Sequence, residues 1–209
     1  MTRTQALRAL LTRPPAERSD DPERCDLCGV VIHREHRHLL DLTARQLRCA
    51  CRACAVLFDR DGAGGHRLVP DRRRYLTGFT LDDELWASLN IPVRMAFSYV
   101  DSSAGRRLFY PSPLGVVESG LDPATCAHLE TANPVLREMA PDVEALLVNR
   151  TGDARDHWLV PIDDCYALVG LIRTRWKGLA GGPDVWTGIA TFFAELRGKA
   201  KDHDKGGRL

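Results

Sequence analysis

No stretch of this 209-residue chain approaches the roughly 20 consecutive apolar residues needed to cross a bilayer as a helix. Met1 to Leu11 carries Arg3 and Arg8 but has neither a long apolar core nor a small-residue cleavage site, so no signal peptide is expected. Internal repeats and low-complexity segments are missing as well. Charge of one sign is not concentrated: residues 1–79 hold 15 Arg or Lys against 10 Asp or Glu, and residues 80–209 hold 14 against 18. That modest asymmetry is far from the dense basic face of a dedicated nucleic-acid binder, and it argues against such a role. The glycine-rich segment Leu179-Ala-Gly-Gly-Pro183 lacks the Lys and Ser/Thr of a phosphate loop. With 44% apolar and 27% charged residues, the remainder is ordinary for a globular protein.

Cysteine is the exception. Five of the seven lie between Cys25 and Cys54, in Cys25-Asp-Leu-Cys28-Gly29 and Cys49-Ala-Cys51-Arg-Ala-Cys54. Clustered, odd-numbered cysteines in a chain of this length do not form a secreted disulfide framework. Thiolate ligands persist best in a reducing compartment, so the cytoplasm is the expected location. Two Cys-x-x-Cys pairs at this separation point to a tetrahedral metal site, with Cys25, Cys28, Cys51 and Cys54 as the simplest ligand set. Four thiolates saturate zinc and leave no position for water, which makes such a site structural and not catalytic. Cys49 offers an alternative sulfur, and His36 and His38 (with His33 nearby) lie close enough in sequence to replace one. Iron, single or in an Fe–S cluster, is the alternative metal, since thiolates suit it too.

Four segments follow from composition and period: an N-terminal helix and linker over 1–24, a Cys-rich metal module over 25–65, a larger domain over 66–198, and a flexible polar tail over 199–209. Thr4 to Leu11 reads as a short helix stopped by Arg13-Pro14-Pro15. In the module, a zinc knuckle at 25–29, a hairpin from His38–Leu42 and Gln46–Cys49, and a helix opening at Cys51 make the order of a treble-clef or ribbon-type unit. A helix N-terminus also favours negative thiolates. Residues 66–79, basic around Arg72-Arg73-Arg74, read as a solvated loop, with a docking patch for an acidic partner as the sharper alternative.

Beyond them, Thr80–Asp83 opens a helix through Leu89. Ile91–Tyr99 alternates as a half-buried strand, and Arg107–Tyr110 is a second strand that Pro111 and Pro113 break. Asp122-Pro123 and Asn133-Pro134 start two short helices over 123–131 and 134–140. Val143–Asn149 and Trp158–Ile162 are strands. The apolar run Tyr166–Ile172 reads as a central strand covered on both faces. Pro183 starts the clearest helix, with Val185, Trp186, Ile189, Phe192, Phe193 and Leu196 at 3.6-residue spacing. The fold class expected is α+β: a small treble-clef/ribbon-type zinc module, then a domain with a mostly antiparallel sheet and helices on one face.

Other chemistry-bearing residues have plainer readings. Asp163-Asp164 turns the chain between two strands, Asp142 and Glu144 begin one, and Cys126 and Cys165 are core thiols without a base. Arg173 and Arg175 end a strand in solvent. No nucleophile–base set emerges, so a non-catalytic role is favoured.

Several segments together resemble an uncharacterised, mainly actinobacterial family: Cys-Asp-Leu-Cys-Gly at 25–29, His36-Arg-His-Leu39, Cys-Ala-Cys-Arg-Ala-Cys at 49–54, Tyr-Pro-Ser-Pro at 110–113, Pro141 to Arg150, and Pro161 to Tyr166. The resemblance covers most of 25–196. Members are encoded beside nickel–iron hydrogenase genes, which implies an accessory or assembly role and a protein partner such as a hydrogenase subunit or maturation factor. Asn133-Pro-Val-Leu136 ahead of apolar strands is similar to hydrogenase assembly factors that join a rubredoxin-like module to a small α+β domain. That similarity points to the same accessory role. A thiolate-iron redox or electron-transfer protein is the alternative function, since four thiolates also suit iron. The order Cys pair, His, Cys pair also resembles HNH endonucleases, but Ala-Val-Leu-Phe-Asp after Cys54 supplies neither the His nor the Asn that such nucleases need.

Overall fold

The computed structural model describes residues 22–58 and 63–206, so the helix expected over Thr4–Leu11 lies outside the described residues. Two antiparallel sheets organise the chain. The smaller has strand order β2-β1-β3, from β1 (Arg37–Asp41), β2 (Gln46–Ala50) and β3 (His66–Leu68). The larger has order β4-β9-β8-β5-β6-β7. Its strands are β4 (Arg74–Tyr75), β5 (Met95–Asp101), β6 (Gly105–Ser112), β7 (Gly115–Ser119), β8 (Glu144–Asn149) and β9 (Asp156–Pro161). Among the described residues five helices join them: α1 (Arg52–Leu57), α2 (Asp83–Ser88), α3 (Pro123–Ala132), α4 (Ile162–Arg175) and α5 (Pro183–Gly206). The molecule is α+β with antiparallel sheets, and residues 66–68 belong to the Cys-rich sheet.

Period-2 alternation in β5, β8 and β9 divides the large sheet into two apolar faces. Phe97, Ala145, Leu147, Trp158 and Val160 face α4 and α5, and Ala96, Leu146, Val148 and Leu159 face the opposite side. That second side is covered by Leu81, Leu89, Leu129, Leu136 and Met139, from the segments around α2 and α3 and from the 3-10 turn Pro134–Glu138. Helices therefore cover both faces and not one as expected. This is why β5 and β8 are buried almost throughout and do not show half-burial.

A second correction concerns 162–175. The run Tyr166–Ile172 is not a central strand but the middle of α4. The decisive pattern is longer than the run: Ile162, Cys165, Leu168, Val169 and Ile172 are buried at helical spacing, whereas Tyr166, Ala167 and Gly170 look outward or sideways. Asp163 and Asp164 occupy the first turn, and Arg173 and Arg175 the last, as the helix macrodipole favours. The Asp pair is thus a helix start, not a turn between strands. At the other end, α5 continues past Lys199 to Gly206, and Ala200 is buried in the core, where a tail was expected.

The smaller sheet is seated on the larger domain. Leu40 of β1 and Val69 after β3 enter the same core as Phe97 and Trp158. Leu39, pointing the other way, joins Cys25, Ala50, Cys54 and Ala55 in a separate small core. Around this seat runs a set of arginine clasps. Arg45, in the β1–β2 turn, binds Asp142 (2.6 Å) and Asp101 (2.8 Å). Arg67 of β3 binds Asp142 at 2.8 Å. Arg72 forks onto the fully buried Glu144, Arg73 onto Asp164 (2.6 and 2.9 Å), and Arg74 reaches Glu138 at 2.5 Å. The basic segment is therefore not a free loop, because each of its three guanidinium groups is paired with a carboxylate of this chain, Arg73 well covered and Arg72 and Arg74 at the surface. Burial pushes the Asp142 carboxyl up, but the Ser102 N–H and the Arg45 guanidinium outweigh it and hold it below its ordinary value.

Candidate metal centre

The four-cysteine site is assembled from two short local devices. In the first, Gly29 adopts φ 75°, a left-handed conformation that a side chain would strain. That turn lets Gly29 N–H reach the Cys25 carbonyl at 2.8 Å, while Cys25 N–H donates to Val30 O at 2.8 Å. Cys25 and Cys28 are thereby brought to the same side of a closed loop. In the second, β2 ends at Ala50 and Cys51 becomes the N-cap of α1, its sulfur accepting from Cys54 N–H at 3.4 Å. The two devices are stitched together by Asp26, whose N–H donates to Cys49 O (2.9 Å) and whose carboxylate accepts from Cys49 N–H (2.7 Å).

All four sulfurs lie within 4.8 Å of one another. The Cys28 and Cys51 sulfurs are 3.7 Å apart, against about 3.8 Å for two corners of a tetrahedron with Zn–S bonds of about 2.3 Å. None of the seven cysteines is in a disulfide. Burial pushes the Cys25 thiol up, but N–H groups of Cys51, Leu27 and Cys28 aimed at its sulfur prevail and bring it down to about 6. The Cys51 side chain, then burial and the other two sulfurs, push Cys54 up to about 12. Four sulfurs this close cannot all ionise against one another without a cation among them. The donor set can therefore hold a metal ion such as zinc.

Cys49, His36 and His38 do not join this group. They form a group of their own, again with one ligand atom each within 4.8 Å. The reason is sheet geometry. His38 stands directly across from Cys49 in the β1–β2 register, and His36 is two residues from His38. All three therefore share the face of Leu40, while Leu39 and Ala50 point to the four-cysteine side. On that face His38 Nδ1 is 2.8 Å from Asp163 Oδ2 at the start of α4. Sequence reasoning assigned Asp163 to a turn, and 125 residues separate it from His38, so no local signal pointed to this pairing.

The remaining candidates keep structural roles. Cys165 is fully buried and its thiol is pushed well up by burial. Cys126 is raised by burial and then by Glu130, and lies 3.8 Å from the Glu130 carboxylate. Glu144 is spent on Arg72 and on the Ala140 N–H (2.7 Å). Among the described residues, no helix is long and apolar enough to cross a membrane.

Residues 24–200 match DUF5947, a family described as a family of unknown function. No curated protein and no solved structure matches the chain.

Proposed function

The chain belongs to the DUF5947 family, and on that footing we propose that it is a non-catalytic, metal-binding accessory protein. Its treble-clef-like module is held by structural zinc on Cys25, Cys28, Cys51 and Cys54. The observation that carries this reading is the clustering of four sulfurs within 4.8 Å of one another, with Cys28 and Cys51 at the 3.7 Å of a tetrahedral edge; four thiolates saturate the ion and leave no place for a reacting water. Zinc there contributes on the order of 10 kcal/mol to folding. That is ample for a unit whose own apolar core is little more than Leu39, Ala50 and Ala55 beside the cysteines.

Activity then belongs to surfaces that meet another protein. Leu27, Val30, Val31, Val56 and Leu57 of the module are exposed apolar side chains available to a partner. The resemblance to proteins encoded beside nickel–iron hydrogenase genes makes a hydrogenase subunit or maturation factor the partner of choice, and the cytoplasm the place. Elemental analysis with a visible spectrum tests the metal: colourless protein with stoichiometric zinc supports the reading, and a coloured iron protein replaces it with thiolate-iron redox chemistry. Affinity purification from the native host tests the partner. Recovery of no hydrogenase subunit or maturation factor removes the association.

A further inference from the structure

We propose that His36, His38 and Cys49 form a second metal site, which holds a borderline divalent cation of the zinc class through two imidazoles and one thiolate. It is separate from the four-cysteine site, since it lies on the opposite face of the small sheet, at the seam with the larger domain.

Three observations converge on it. The ligand atoms of the three residues lie within 4.8 Å of one another, as required to share one ion with bonds of about 2.0–2.3 Å. Each imidazole is already oriented through Nδ1. His36 Nδ1 is 2.8 Å from the His33 carbonyl, and His38 Nδ1 is 2.8 Å from the Asp163 carboxylate. Backbone-carbonyl and carboxylate acceptors of this kind fix the tautomer with Nδ1 protonated and leave Nε2 as the donor atom toward a metal. Finally, His36 Nε2 is buried with no hydrogen-bond partner, on a side chain only 8% exposed. Leaving such a buried nitrogen unsatisfied is unfavourable, and a cation relieves that cost.

The donor set also identifies the chemistry. Neutral nitrogens and one sulfur suit zinc and its neighbours in the first transition row, not magnesium or calcium, which take oxygen. On binding, the Cys49 thiol releases its proton to solvent while both imidazoles bind neutral, so the ion keeps one positive charge. The Asp163 carboxylate behind His38 balances it. Among the described residues no fourth Cys, His, Asp or Glu joins the group, so one position on the ion is left to water or to an exogenous ligand. His36, His38 and Asp163 line one open cleft of about 880 Å³, which Arg37, Arg52 and Lys199 also line. Glu35 and Asp71 line it as well, but with Arg34 and Arg73 the cationic side chains outnumber the acidic ones, and that balance favours a small anion as the ligand.

Cobalt(II) titration of the full-length protein, stripped of metal under reducing conditions, tests the proposal. The wild type is expected to take up about two equivalents, and the charge-transfer absorption of the first reports more thiolate ligands than that of the second. Cys49→Ser and His38→Ala each lose the second equivalent only. Cys28→Ser loses the first and, through the fold of the module, weakens the second, so loss of the second equivalent alone in Cys49→Ser and His38→Ala is what distinguishes failure of this site from failure of the four-sulfur one. In the unmutated protein, cobalt or zinc protects Cys49 from iodoacetamide, as located by fragment masses, which requires no variant to fold. Wild type that binds a single equivalent, unchanged by His38→Ala and without protection of Cys49, overturns the proposal.

Discussion

Asp142 is where the Cys-rich sheet is fastened to the larger domain, and Asp142→Asn isolates that fastening. The carboxylate is fully buried and accepts from Arg45 of the β1–β2 turn, from Arg67 of β3 and from Ser102 N–H (3.0 Å). Its φ of 66° is a conformation that Asn adopts readily, so the substitution removes charge without adding backbone strain. Two charge-assisted bonds become neutral ones at best, a loss of about 1–1.5 kcal/mol each. Arg45 and Arg67 are 35% and 20% exposed, so water solvates the released guanidinium groups. The total therefore stays near 2–3 kcal/mol, below the roughly 3–5 kcal/mol of a fully buried pair broken on one side. At about 2–4 °C per kcal/mol for a protein of this size, the melting midpoint falls by roughly 4–12 °C. The loss is local as well as global. Hydrogen exchange of amides in β1, β2 and β3 accelerates more than exchange in β9. A variant that melts within about 1 °C of wild type, with β1–β3 protection unchanged, would refute the argument that these ion pairs seat the module.

Three further outcomes follow. Arg72→Met strands the buried Glu144 carboxylate with the Ala140 N–H and costs about 3–5 kcal/mol in urea unfolding; adding Glu144→Gln recovers part of that. His157 is buried and stacked on Phe79, and burial followed by the Arg150 charge brings its pKa down to about 4. The unfolded chain takes up this proton first, so stability is complete above about pH 6.5 and falls, by at most about 3 kcal/mol, as pH drops toward 4. His157→Gln flattens that part of the stability–pH curve. Chelation of the metal proposed at the four sulfurs exposes 22–58 to limited proteolysis while a fragment spanning β4 to α5 resists, because its two cores take only Leu40, Leu42, Leu47 and Val69 from the small-sheet side.

How much could be read in advance depended on the distance over which each signal acts. The knuckle, the hairpin and the helix at Cys51 are local: glycine at 29, alternation over 38–49 and good packers after 51 act within a few residues. Asp122-Pro123, Asn133-Pro134 and Pro183 likewise set helix starts within one turn. The run at 166–172 failed because a short apolar stretch has the same composition in a buried strand and a buried helix. Only the longer spacing from Ile162 to Ile172, with its acidic start and basic end, separates the two.

By itself, then, the sequence determined that Cys25, Cys28, Cys51 and Cys54 can meet, because each pair is set by its own turn and one hairpin separates them. Tertiary structure decided the rest. Register and pleat put Cys49, His36 and His38 on the other face of the sheet and grouped them apart from the four clustered cysteines. Chain folding brought Asp163 to His38 and turned the arginines at 45, 67, 72, 73 and 74 inward onto carboxylates 56 to 97 residues away. Ion pairs between such distant residues leave no periodic trace in a sequence, since charge alone does not say which opposite charge will be its neighbour.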